Sequence, residues 1–322
     1  MRFDTKTLFK KSGHLLAGLL LLMVVVVGCN GKVQSVAAAE IPAQLTFATP
    51  EEAGQALQAA AAAEDEKALA QILGPESKAI LSSGDAEEDQ AALKSFVKKY
   101  GRMNRWVMMT DGSRVLYIGA DNYPYPIPLA QNPSSKWYFN TAAGKDEILA
   151  RRIGKNELLA MDAISAIARA EEHYYKHHHD DDKTHQYAQL ILSSPGKQDG
   201  LNWEVPEGEP SSPLGRLNEF ANDVVTSTQP GASPIFDGYS FRVLTAQGDE
   251  AKGGGKSYVT NGKMTGGFAI LASPVTYGDS GIMTFILSRE GTLYQKDLGA
   301  EAAARVDSIN SYNPTDGWTP AE

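Results

Sequence analysis

Apolar residues recur along this chain in two periods, and each change of period marks a new element. From Thr49 to Tyr100 the period is helical. Thr49-Pro50-Glu51-Glu52 predicts a helix start, with Thr49 as cap, Pro50 at the first helical position and Glu52 reaching back. An alanine-rich helix follows, then a second from about Asp65 to Leu73, stopped by Gly74-Pro75. A third is predicted from Ala86 to Tyr100, with Ala92, Leu93, Phe96, Val97 and Tyr100 on one face and Gly101 as its stop. The period then falls to two. Arg105–Thr110 and Arg114–Gly119 read as strands joined through Asp111-Gly112, and Lys136–Asn140 as a further strand. Between them lies Tyr123-Pro124-Tyr125-Pro126-Ile127-Pro128. Its three prolines remove ladder donors, which predicts an edge or an extended surface segment.

A helical stripe returns from Asn156 to Lys176, where Ala160, Ile164, Ile167 and Tyr174 recur at helical spacing, flanked by Ala163 and Ala170. Residues 200–203 and 209–215 read as an irregular loop rich in turn formers, and a short helical piece is expected near Leu217–Val225. The clearest pattern lies in residues 234–299, where short apolar strands are punctuated by glycine turns. Tyr239, Phe241 and Val243 alternate along the first, and Ser257–Thr260 begin the second. Phe268–Ser273 and Ile282–Ser288 are longer, and Thr292–Lys296 returns. Asn261-Gly262 and Arg289-Glu290-Gly291 are hairpin loops, with Gly291 at positive φ.

The predicted class is α+β: N-terminal helices plus a curved antiparallel sheet, then a long helix packed on a C-terminal antiparallel β-meander. The expected division is a leader over 1–28, a tether over 29–45, a first lobe over 46–144 and a second over 145–322.

Charge and the N-terminus change the picture next. The chain has 322 residues and a formal net charge of −9, with no long basic run beyond its first eleven residues. Phosphate-backbone binding needs clustered Lys and Arg, so nucleic acid is not an expected partner. Arg2, Lys6, Lys10 and Lys11 precede an apolar run from Leu15 to Val27, shorter than the about 20 residues that span a bilayer. The run ends Val26-Val27-Gly28-Cys29, which resembles a bacterial lipobox, and Cys29 is the single cysteine. The expectation is lipidation at Cys29, with the membrane as a partner through that anchor and a periplasm-facing body. Losing residues 1–28 removes four basic residues and Asp4, which takes the charge from −9 to −12. Asn30, where an Asp would resemble an inner-membrane retention signal, favours the outer of two membranes. One cysteine permits neither an internal disulfide nor a cysteine zinc cage.

Candidate chemistry is sparse. Five of the six histidines fall between His173 and His185, in HYYKHHHDDDKTH. Imidazole and carboxylate are competent ligands, so His177, His179 and His185 are the metal candidates, although consecutive histidines point different ways. The alternative is a polar loop after a helix end, where His tolerates the negative dipole. Gly253-Gly254-Gly255-Lys256-Ser257 resembles the end of a phosphate loop but lacks its first glycine, and it leads into a strand. Gly278-Asp279-Ser280-Gly281 resembles the serine motif of trypsin-like proteases without the partner histidine motif, and is expected to be a hairpin turn. Tyr123–Pro128 beside Trp106 and Trp137 could line a pocket. No catalytic set and no cofactor emerge.

Six runs in order carry a family resemblance: EILARRIGKNEL (147–158), YAQLILSSPGKQDGLNW (187–203), EPSSPLG (209–215), GYSFRVLTAQG (238–248), MTGGFAILASPVTYGDSGIMTFI (264–286) and YQKDLG (294–299). The chain resembles the bacterial domain-of-unknown-function family 2950 (DUF2950). The resemblance implies an envelope or secreted protein with no assigned activity. The HHHDDDKTH tract departs from the family pattern. Element order alone also resembles the globular part of type IV pilins and pseudopilins, and the first lobe resembles nuclear-transport-factor-like cones. The functional expectation is a non-enzymatic envelope lipoprotein that binds a protein or wall component. The alternatives are a periplasmic small-ligand binder and a hydrolase using Ser280, Asp279 and one of His177 to His185.

Overall fold

The structure, a computed structural model, describes residues 44–81, 86–206, 208–215, 233–315 and 317–321. The leader expected over 1–28, Cys29 and the helical piece expected at Leu217–Val225 lie outside the described residues.

Helix α1 (Pro50–Ala62) begins as its sequence dictates. Thr49 Oγ1 accepts the Glu52 N–H at 3.2 Å, and Glu52 Oε2 accepts the Ala48 N–H at 3.0 Å, one residue upstream of the cap. Helix α2 (Glu66–Leu73) is capped by Asp65 and ended by Gly74 at φ 82°. A one-turn helix, α3 (Lys78–Leu81), was not legible in the pattern. Helix α4 (Ala86–Arg102) corrects the expected stop, because it runs through Gly101. Tertiary partners take its last carbonyls instead: Asn104 Nδ2 donates to Tyr100 O, and the Gly119 N–H donates to Lys99 O. Leu93, Phe96, Val97 and Tyr100 face inward as expected, whereas Ala92 is exposed.

Strands β1 (Asn104–Met108), β2 (Arg114–Ile118), β4 (Leu129–Gln131) and β5 (Trp137–Phe139) lie in that order in one antiparallel sheet. Two-residue β3 (Tyr123–Pro124) also pairs with β2. The proline segment is not a surface strip. Ile127 is fully buried, and Tyr125 packs on Phe96 and Phe139 with ring centroids 5.2 and 6.4 Å away. Each proline removes one ladder donor, which keeps β3 to two residues, but the residues between the prolines are free to point into the core.

Helix α5 (Thr141–Tyr175) spans 35 residues and starts well before the predicted Asn156. Its first half carries charged runs and two glycines, so no apolar stripe announced it. Gly144 answers to packing, since a Cβ there would lie 2.7 Å from Ile127 Cγ1. The Thr141 hydroxyl donates to Leu73 O, and Asn140 Oδ1 caps the helix through the Ala143 N–H. The helix runs through the expected lobe boundary at 144/145.

Beyond it, β6 (Leu190–Leu192) and β7 (Gly200–Asn202) form a parallel pair, which corrects the loop expected at 200–203. Three-residue strands are too short to show a period. The main sheet contains β8 (Ile235–Phe236), β9 (Tyr239–Leu244), β14 (Ala269–Pro274), β15 (Met283–Ser288), β16 (Leu293–Asp297) and β17 (Thr319–Pro320). Its order is β17-β16-β15-β14-β9-β8, antiparallel throughout. Between β9 and β14 two ribbons leave the sheet: β10 (Ala246–Gln247) with β11 (Lys256–Ser257), and β12 (Val259–Thr260) with β13 (Lys263–Met264). Asn261 and Gly262 turn the second ribbon with φ 49° and 79°, the left-handed pair expected of Asn-Gly. A short helix, α6 (Ala302–Asp307), precedes β17.

Ala160, Ile164, Ile167 and Tyr174 of α5 are buried with Tyr239, Phe241, Phe268 and Phe285 of the sheet, as the helix-on-meander expectation required. Each fully buried large side chain contributes about 1.5–3 kcal/mol. A separate core, built from residues before α5, gathers Leu57, Leu69, Leu73, Ile127, Leu129 and Phe139.

Candidate binding groove

The polar face of α5 and the turn between β15 and β16 border an open groove. Ser165, Arg169, Glu172 and Lys176 recur at three- and four-residue spacing, so they share one side of the helix beside its buried stripe. Ser288, Arg289 and Gly291 come from the hairpin that Gly291 turns at φ 90°. Buried Phe268 and Leu287, with half-buried Leu293, form the floor, and the cavity holds about 540 Å³. That volume falls within the range of small-molecule sites.

Arg289 is held in place. Its Nε lies 2.9 Å from Glu172 Oε1, and its guanidinium sits 5.6 Å from the Tyr187 ring centroid. The pair is about half exposed, so it orients Arg289 more than it stabilises the fold. The side chains of Arg169 and Lys176 make no hydrogen bond or ion pair among the described residues. Behind the wall, Tyr187 stacks on Tyr175 at 4.5 Å, and burial, then Glu172, pushes its hydroxyl up to about 12. Glu171 is fully buried. Its Oε2 accepts the Ala188 N–H at 2.9 Å, and burial holds its carboxyl well above the usual range. Among the described residues neither Glu171 Oε1 nor the Tyr187 hydroxyl has a partner.

The histidine tract is a helix cap. His177 Nδ1 donates to His173 O at 2.9 Å, His179 Nε2 to Tyr174 O at 3.0 Å, and His185 Nδ1 to Tyr175 O at 2.8 Å. Three carbonyls at the end of α5 thus gain imidazole donors. The rings also stack: His179 on Tyr174 at 3.8 Å and His177 on His173 at 4.4 Å. Asp180 and Asp181, both at positive φ, turn the chain back. Asp182 accepts from Lys263 at 2.8 Å and from the Thr184 N–H; the lysine, first, holds its carboxyl down at about 2. Among the described residues no group of three or more His, Cys, Asp or Glu is placed to hold a metal ion. The spacing that suggested ligands serves the helix end.

The hydrolase candidates are not brought together. Residues 278–281 form the turn between β14 and β15, as expected. Asp279 pairs with Arg152, and Ser280 Oγ accepts the Thr276 N–H at 3.0 Å. Arg152 and His173 are separated on α5 by roughly 30 Å at 1.5 Å per residue. The turn is fastened to the helix: Asn156 Nδ2 donates to Ser280 O, and Glu157 Oε1 accepts the Ile282 and Met283 N–H groups, each at 2.9 Å. Lys256 and Ser257 begin β11, in a strand as anticipated, not at a helix start. In the first lobe, Trp137 is buried and Trp106 packs against α1 at Gly54, where a Cβ would lie 3.3 Å from Trp106 Cζ2. These tryptophans and Tyr125 fill a core. Sequence reasoning missed the groove because Arg169, Glu172 and Lys176 read as an ordinary solvated helix face; their 3–4 spacing was the available signal.

Residues 44–321 match the family described as protein of unknown function (DUF2950). No curated protein and no solved structure matches the chain.

Proposed function

The chain belongs to the DUF2950 family, and from that premise we propose that it is a non-enzymatic binding module of the bacterial cell envelope, tethered through lipid on Cys29. The observation that carries this reading is the groove, where Arg169 and Lys176, without a partner among the described residues, line the same wall as an apolar floor. The groups that chemistry would have used are committed elsewhere: Asp279 to Arg152, Ser280 to its own turn, and the histidines to the end of α5. The partner is a protein or wall component that enters this groove. A periplasmic small-ligand binder is the second reading, favoured by a volume suited to a small molecule.

Two measurements test the proposal. A photoreactive amino acid at Ser165, in the groove, is expected to capture a partner in intact cells. The same group at exposed Leu158, elsewhere on α5, is the control. Equal adducts from both sites, or none from Ser165, would overturn the groove as the binding surface. Separately, Cys29→Ser is expected to shift the protein from the membrane fraction to the soluble one. Retention of the variant in membranes would sink the lipid tether.

A further inference from the structure

Resting on that reading of the groove, we infer that its ligand carries an oxyanion, carboxylate or phosphate, on an apolar body. The groove presents three cations, Arg169, Lys176 and Arg289, against one carboxylate, Glu172, in a chain whose net charge is −9. Glu172 occupies one edge of Arg289, which leaves the rest of that planar donor set, together with Arg169 and Lys176, for an incoming anion. A solvated helix face needs no apolar floor, yet Phe268, Leu287 and Leu293 line the same groove as these cations. A purely ionic ligand leaves that floor in contact with water, and a purely apolar one leaves the cations without a role. An oxyanion on a hydrocarbon or aromatic body uses both.

One electrostatic term opposes the assignment, and the histidines answer it. The last two turns of α5 border the groove, and a helix C-terminus carries partial negative charge on its free carbonyls. Here three carbonyls of the last turn, on His173, Tyr174 and Tyr175, receive imidazole N–H donors, the first two in addition to the backbone N–H groups of Lys176 and His177. The caps counter the helix end beside the groove, which gives the histidine tract a part in binding.

The test is titration calorimetry on the purified full chain with octanoate, octyl phosphate, octanol and inorganic phosphate. Octanoate and octyl phosphate are expected to bind at least tenfold more tightly than octanol and than inorganic phosphate. Their affinity should fall as ionic strength rises. Arg169→Gln with Lys176→Gln, both at exposed positions, is expected to lower oxyanion affinity at least tenfold while leaving octanol unchanged. His177→Ala with His185→Ala should weaken it by a smaller factor. The ratio between octanoate and octyl phosphate identifies which oxyanion the groove prefers. Octanol binding as tightly as octanoate, inorganic phosphate binding as tightly as octyl phosphate, or no binding by any probe would each overturn the assignment. Capture from Ser165 in cells alongside such a result would leave the groove as a binding surface and remove only its anionic ligand.

Discussion

Glu171 is the residue whose setting most contradicts its chemistry. It sits beside Glu172 on α5, yet one carboxylate reaches the surface to hold Arg289 and the other is fully enclosed. Burial is the main cause that raises the Glu171 carboxyl; the Ala188 N–H opposes it, and Glu172 adds to it. A carboxyl raised in the native state contributes its full stability below its unfolded value of about 4.5, and that contribution is lost as pH rises toward the native value. Glu171→Gln keeps an acceptor for Ala188 and cannot ionise. Its urea midpoint is therefore expected to rise relative to the parent as pH increases above 4.5. The difference should grow by about 1.4 kcal/mol per pH unit until the native carboxyl ionises. A constant difference between pH 4 and pH 8 would show that the carboxyl is not held neutral. Asp182 works in the opposite direction. Lys263 lowers it to about 2, so its contribution is present above its ordinary value of 3.8 and is lost as pH falls toward 2. Neither behaviour is legible in sequence. A Glu-Glu pair on a helix reads as surface, and only the arrival of Ala188, after the histidine loop, encloses one of them.

The elements are most informative where two of them are fastened together. The turn at 278–281 resembles a protease motif, but the structure makes it the anchor of the β14–β15 hairpin on the middle of α5. Glu157 is central, because a single oxygen takes two backbone N–H groups at the start of β15. Glu157→Ala leaves both without an acceptor in a half-buried place and is expected to cost about 1–3 kcal/mol. Ser280→Ala removes two exposed local bonds, both to the Thr276 backbone, and its expected cost is about 1 kcal/mol or less. Chemical denaturation of the two variants decides the order; a costlier Ser280→Ala would mean that the hydroxyl, not the helix, holds the turn. The legible elements were those with local causes: the Thr49 cap, the Gly74 stop, the Asn261-Gly262 turn, the Gly291 hairpin and the alternation along β9. Those that escaped have distant causes. The first half of α5 is shaped around Ile127 and Leu73, β6 and β7 depend on each other, and α4 ends on Gly119. The groove escaped for the same reason, since its floor and its cations come from positions more than ninety residues apart in sequence, Phe268 and Arg289 against Arg169 and Lys176.

At the scale of the described body, α5 is shared while the hydrophobic cores are not. The first-lobe clusters draw on described residues up to Phe139, and the larger cluster begins its buried set at Ala160. What joins the two cores through the N-terminal half of α5 is mostly polar and close-fitting: Thr141 on Leu73 O, Arg151 on Pro124 O, Lys145 with Glu76, and Gly144 against Ile127. Exposed ion pairs such as Lys145–Glu76 contribute about 0–1 kcal/mol, far less than a core of a dozen buried side chains. The second lobe should therefore outlast the first. Calorimetry on the intact chain is expected to show unfolding that departs from a single two-state transition. A fragment over residues 140–322, which keeps the Asn140 cap on α5, is expected to retain the sheet and the upper transition. Its freed helical turns at 141–152 should exchange amide hydrogens faster than in the whole chain, because there they lose Leu73, Pro124 and Ile127. A single two-state transition in the intact chain, or an unfolded 140–322 fragment, would mean that the polar seam along α5 couples the two cores more strongly than its contacts account for.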